Sequence, residues 1–144
     1  MSERVKFQGG PIAVTTSGDH TVQVWDLSTG IPIGEPLTGH AGPVVAVAGT
    51  QLGGRPIAVT TGWDRTVRVW DLNTGTPIGE PLTGHVDSVE AVACAQLHGR
   101  PIAVTASGDT TVRRWDLNTG TPIGEPLTGH TGTVKAVACT QIHL

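Results

Sequence analysis

Apolar and β-branched residues along this chain fall into short runs separated by turn-forming residues. The middle of the chain shows it best. Residues 44–51, Val-Val-Ala-Val-Ala-Gly-Thr-Gln, are small and mostly apolar. Residues 56–61, Pro-Ile-Ala-Val-Thr-Thr, are apolar or β-branched almost without a break, the pattern of a strand covered on both faces. Residues 66–72, Thr-Val-Arg-Val-Trp-Asp-Leu, make a third run, and residues 77–82, Pro-Ile-Gly-Glu-Pro-Leu, a fourth. Gly53-Gly54, Gly62-Trp63-Asp64-Arg65 and Asn73-Thr74-Gly75 stand between them as turns. No segment has a helical period, and the prolines would break most candidate helices. The pattern predicts an all-β fold built from a four-stranded antiparallel meander. Its first strand carries small residues. Its last carries two prolines that cannot donate ladder hydrogen bonds, which places it at a sheet edge.

The same grammar returns with a fixed period. Trp25, Trp70 and Trp115 lie 45 residues apart, each followed by Asp-Leu. Pro-Leu-Thr-Gly-His ends at His40, His85 and His130, and Pro-Ile-Ala-Val-Thr starts at Pro11, Pro56 and Pro101. The chain therefore divides into units 10–54, 55–99 and 100–144. Units of this size share their cores with neighbours instead of each forming its own. The phase is offset. The first run, Pro11 to Thr16, has the sequence of a second strand, and the last, Val134 to Gln141, that of a first strand.

These units resemble WD40 repeats, with Gly-His before the first strand, Trp-Asp at the end of the third, and a period at the top of the family's usual range of about 40–45. The resemblance covers residues 10–144. It implies that each unit is one blade of a β-propeller, with the first strand innermost and the fourth outermost. It also implies a mainly non-catalytic protein that holds protein or peptide partners on a rigid ring. A buried hydrogen-bond chain is implied in each blade, running Asp to His to Ser or Thr hydroxyl to the indole N–H. Those sets are His40, Thr60, Asp64 and Trp70, then His85, Thr105, Asp109 and Trp115. Thr15, Asp19 and Trp25 lack a preceding His, and His130 lacks the residues that would follow it. Three units are fewer than a closed propeller typically needs. Arg114 stands where the other units have Val24 and Val69, and Trp63 where they have Gly18 and Gly108.

Composition narrows the function further. The net charge is −3, and the nine Lys and Arg are scattered, which argues against nucleic acid. No apolar run approaches the roughly 20 residues of a membrane span, and the first residues lack a signal peptide's apolar core, so a cytoplasmic location is expected. Cys94 and Cys139 occupy equivalent places, with Gly49 in the other unit, and are expected to be small buried apolar residues and not a disulfide. Thr, His and Asp together invite a hydrolase reading. Their repetition in every unit points instead to architecture, so no catalytic residue is assigned. Ring symmetry would keep the repeated histidines too far apart for a metal. The glycines sit at strand-to-strand turns, which excludes a phosphate loop, and no cofactor is expected. His20, His98 and His143 are expected as solvated turn residues. Trp63, a large aromatic in a tight turn, is the candidate anchor for an external partner, with Arg65, Val86 and Asp87 beside it on the face that binds partners in this family.

The expected function is a non-catalytic interaction scaffold, assembled from copies of one chain. Head-to-tail association would pair residues 134–141 with Pro11–Thr16 of the next copy and bring His130 to Thr15, Asp19 and Trp25. Such a contact must close into a ring or continue as a filament. A nine-bladed homotrimer is favoured over a six-bladed homodimer, because six blades crowd the inner strands while nine only widen the channel. The alternatives are a fragment of a longer array from a multidomain regulator and, well behind it, a hydrolase.

Overall fold

The computed structural model describes residues 9–142. Among them are twelve strands in three four-stranded antiparallel sheets and no helix. The first sheet holds β1 (Ile12–Thr16), β2 (Thr21–Asp26), β3 (Ile31–Pro32) and β4 (Leu37–Thr38). The second runs β5 (Val44–Leu52), β6 (Arg55–Gly62), β7 (Val67–Asp71) and β8 (Thr76–Pro77), in that order. The third repeats it with β9 (Val89–Leu97), β10 (Arg100–Ser107), β11 (Val112–Asp116) and β12 (Thr121–Pro122).

Turn chemistry sets the registers. The β5–β6 and β9–β10 hairpins close on Gly53-Gly54 (φ 58° and 81°) and His98-Gly99 (φ 51° and 79°). Two successive positive φ values define the turn whose twist matches the flanking strands. His20 and His98 both lie exposed in turns, while His143 lies outside the described residues.

The fourth run departs from expectation. Residues 77–82 were expected as a strand, but only Thr76–Pro77 forms one, followed by a bridge in which Val67 and Leu82 exchange both backbone hydrogen bonds (3.1 and 2.7 Å). Pro77 and Pro81 have no N–H to give, so the ladder survives only where other residues supply it.

The last run departs too. Residues 134–141 form no strand. The Val134 N–H donates to the Ser107 carbonyl at 3.0 Å, matching the Val44 N–H to the Ser17 carbonyl at 3.1 Å, and Val134 is buried. Beyond it the segment is mostly exposed, for lack of a neighbouring strand to complete its ladder.

Side chains alternate across each strand and fill two cores, both lying between sheets. One joins Val22, Val24 and Leu37 of the first sheet to Ala58, Trp70 and Leu72 of the second. The other joins Val67, Val69 and Leu82 of the second to Ala103, Trp115 and Leu117 of the third. The repeat thus extends from the sequence to the packing: Val24, Trp70 and Leu72 correspond to Val69, Trp115 and Leu117. The three sheets form an open, incomplete ring, a partial propeller. Among the described residues two faces are left bare. On the first sheet Leu27 is 58% exposed, whereas its counterparts Leu72 and Leu117 are 8% and 5%. On the third, Leu127 is 45% exposed against 3% and 6% for Leu37 and Leu82.

Candidate functional site

The polar sets form where the loop before an innermost strand meets the next hairpin turn. In the second sheet, His40 Nδ1 lies 3.0 Å from Asp64 Oδ2 and His40 Nε2 lies 2.8 Å from Thr60 Oγ1. The Trp70 indole N–H donates to the same Thr60 oxygen at 2.8 Å. The third sheet repeats this, with His85 2.8 Å from both Asp109 and Thr105, and the Trp115 indole 2.9 Å from Thr105. The chain of donors fixes the tautomer. Asp accepts, so His carries its proton on Nδ1; Nε2 then accepts from the Thr hydroxyl, whose oxygen accepts from the indole. Each carboxylate also holds the loop and the turn together: Asp109 accepts from the Val86 and Thr111 N–H groups and the Thr111 hydroxyl at 3.1, 2.9 and 2.6 Å.

Burial sets the electrostatics. It pulls the His85 imidazole below its ordinary pKa by more than the facing Asp109 raises it, and His40 behaves likewise beside Asp64. For Asp109 burial pushes upward, but the bonds from Thr111 and His85 outweigh it and hold the carboxyl well below its usual range. Asp64 is lowered in the same way. Thr60 and Thr105 are fully buried and already engaged on both sides, so neither hydroxyl is placed to attack a substrate.

The first sheet holds a partial set. The Trp25 indole reaches Thr15 at 2.9 Å, but Thr15 and Asp19 are exposed, and Asp19 bonds only Ser17 and the Thr21 of its own turn. His130 is exposed at the other end of the chain, so this chain by itself does not bring it to Thr15, Asp19 and Trp25.

Two features were not foreseen from the sequence. Arg55 pairs with Asp71 at 3.0 Å and Arg100 with Asp116 at 2.7 Å, tying the β5–β6 and β9–β10 turns to the Trp-Asp carboxylate. The signal was present, since an Arg precedes each of these aspartates by 16 residues, and Gly10 replaces it before Asp26. The Gly before each His also has a reason. At Gly84 (φ 154°) a Cβ would strain the backbone and would lie 2.9 Å from Arg113 Nη1, which would have to move, and 3.4 Å from the Trp115 ring.

Cys94 and Cys139 are both free thiols. Cys94 is half-buried, and burial, with a smaller contribution from Cys139, pushes its thiol up to about 11. Cys139 is exposed, contrary to expectation, because its segment lacks a sheet partner. No cluster of three or more His, Cys, Asp or Glu among the described residues is arranged to hold a metal, and no helix there is long and apolar enough to cross a membrane.

Trp63 is 60% exposed and Val86 70%, and both stand at the same end of their sheets with the exposed Arg65 and Asp87. The backbone explains why Trp63 is tolerated. Opposite it is Gly42, whose added Cβ would sit 3.7 Å from Trp63 Cβ. In the third sheet Asp87 stands opposite Gly108, with its carboxylate 3.1 Å from where a Cβ would be. Trp63→Gly should therefore leave thermal stability within about 0.5 kcal/mol of the parent, as for other surface changes. A larger drop in a melting curve would assign Trp63 to packing.

Repeated four-stranded blades, packed face to face around buried His-Asp-Thr-Trp sets, define a propeller-type repeat protein. The family model described as WD domain, G-beta repeat matches residues 30–71 and 75–116, more than half of the chain. The chain belongs to the WD40 repeat family. Among solved structures it is similar to that of U3-55K, with 26% identity, a TM-score of 0.73, and coverage of 86% of this chain and 36% of the other. The chain thus spans about a third of the length of that neighbour. No curated protein gave a match.

Proposed function

We propose that this chain is a non-catalytic WD40 scaffold that completes its propeller with further copies of itself, joined head to tail. One observation carries the reading: the two bare faces are the two halves of a joint that the molecule already makes twice. Leu27 and Leu127 are exposed where their counterparts are sealed between sheets. Among the described residues β1 has no partner along its inner edge, where β6 and β10 each carry a partner strand. Residues 134–141 match β9 residues 89–96 at six of eight positions. Transferring the β9–β10 register puts Gln141 opposite Pro11, Cys139 opposite Ala13 and Val137 opposite Thr15 of the next copy. A groove of about 400 Å³ bordered by Ile12, Val14, Val47 and Gly49 runs beside that edge. Gly129 keeps the backbone angle of Gly39 and Gly84 (φ 153°) with nothing packed against it, which supports a role for His130 in completing the set of Thr15, Asp19 and Trp25 in the next copy.

Nine blades turn about 40° each and six about 60°, against about 51° for seven. Close-packed inner strands resist compression more than loosening, which favours the homotrimer over the homodimer. Trp63, Arg65, Val86 and Asp87 would then offer a protein or peptide partner three equal surfaces on one face of the ring. The role proposed here is cytoplasmic and requires no cofactor.

Thiol labelling tests the joint. In the assembled ring Cys139 takes the place of half-buried Cys94. A maleimide should therefore label Cys139 slowly at high protein concentration and quickly on dilution, with Cys94 slow throughout. Fast labelling of Cys139 at every concentration would contradict the joint. A second reading is favoured by the length of U3-55K, of which this chain covers 36%: further repeats of the same polypeptide would fill the same edges. That reading requires the 144-residue chain alone to give no defined oligomer.

A further inference from the structure

The two internal joints are sealed at one point by valine. Val24 (2% exposed) closes the core between the first and second sheets, and Val69 (7% exposed) the core between the second and third. The residue at that place on the third sheet, the face that would receive another copy, is Arg114. Its side chain lies over Gly124, where an added Cβ would be 2.9 Å from Arg114 Nη2. Its Nε is buried without a hydrogen-bond partner, as are those of Arg68 and Arg113. None of the ion pairs among the described residues includes it, and Glu125, whose counterpart Glu80 lines a groove beside Val69, is exposed.

The repeat shows what Arg114 would meet. Trp115, Leu117 and Ala103 share the core with Val69, and their counterparts in the next copy are Trp25, Leu27 and Ala13. None of these carries a negative charge. Asp26 is no substitute, because in the alternation along β2 it falls on the side of Val22 and Val24, which face the second sheet. Closing the joint therefore strips water from a guanidinium and offers it no carboxylate across the interface, a penalty that an indole face offsets only in part.

We propose that Arg114 makes the joint between copies the weak one, so that the ring opens there and exchanges subunits while the two internal joints stay shut. The inference rests on the assembly reading above. It names Arg114 as the residue that sets how tightly copies hold one another.

The test is the concentration at which the 144-residue chain dissociates, followed by sedimentation velocity and mass photometry for the parent, R114V, R114M and R114K. Valine already occupies this place in the other two sheets, so R114V should fold; a melting curve for each variant checks this. R114V and R114M should lower the dissociation concentration at least tenfold and slow subunit exchange between differently labelled rings. R114K, which keeps the charge, should stay within about threefold of the parent. Unchanged or weaker assembly of R114V would overturn the proposal and mean that the guanidinium holds the joint together. Tighter assembly of all three variants would overturn the role of charge. Persistent monomers in every variant would remove the assembly reading and this inference with it, an outcome distinct from rings insensitive to residue 114.

Discussion

Deleting residues 134–144 should convert a particle of about 45 kDa, three copies of the 14.9 kDa chain, into single chains. Native mass spectrometry at micromolar concentration reads this directly. The size of the effect follows from what the segment supplies at each joint. In the proposed ring it would give β1 of the next copy a ladder, and it would supply Val134 and Val137, whose counterparts Val89 and Val92 are 0% and 9% exposed in the second core. An exposed strand edge is otherwise a template for unspecific pairing. The truncated chain should therefore be monomeric at low concentration and prone to aggregate at high concentration. A full-length mass near 30 kDa would replace the trimer with the dimer, and a stable full-length monomer would end the self-assembly reading. A deletion variant that still forms the full-size particle would show that the bare faces associate without strand exchange.

Much of this fold was legible in the sequence, because a repeat states its own packing three times. Trp70 and Trp115 are each 1% exposed, and their sets close within hydrogen-bonding distance. The fourth strand was the least legible element. The pattern reads residues 77–82 as one run, but two prolines leave a ladder of only two residues and one bridge. Strand formation at 134–141 was not a local property at all. The sequence nearly matches β9, yet β9 is a strand because β10 lies beside it. The Arg55–Asp71 pair was missed for a related reason: a surface arginine gives no sign of its partner until the hairpin register brings the two ends together. Arg114 was visible as a departure from the repeat, but its meaning required knowing that Val24 and Val69 seal joints.

The polar sets should respond to mutation and to acid in a linked way. His85 has no exposed side-chain surface and Asp109 has 2%. Asp109→Ala strands four donors: the His85 ring N–H, the Val86 and Thr111 amides, and the Thr111 hydroxyl. Each buried group left unmet costs about 1–3 kcal/mol, while the Val86 amide lies at the surface and can turn to water, and local rearrangement recovers part of the rest. A net loss of about 3 kcal/mol, roughly 10 °C in Tm, is expected. His85→Ala should cost somewhat less, since Thr105 loses an acceptor and Asp109 one of its donors. The pH dependence carries a definite sign. Burial holds His40 and His85 below their ordinary pKa, so below about pH 6.5 the unfolded chain binds protons that the folded chain refuses. Stability from this source is complete above that pH and falls as the pH drops toward the folded value. Asp64 and Asp109 are depressed as well, which adds a second loss below about pH 4. Both effects work in the same direction, and neither produces a loss on the alkaline side. Thermal midpoints should therefore decline between pH 6.5 and 5 in the parent, and decline less in His85→Ala, where one of the two buried imidazoles is gone. Equal slopes in parent and variant would mean that His85 does not titrate with unfolding. Unchanged midpoints in Asp109→Ala at pH 7 would remove the buried set as a source of stability.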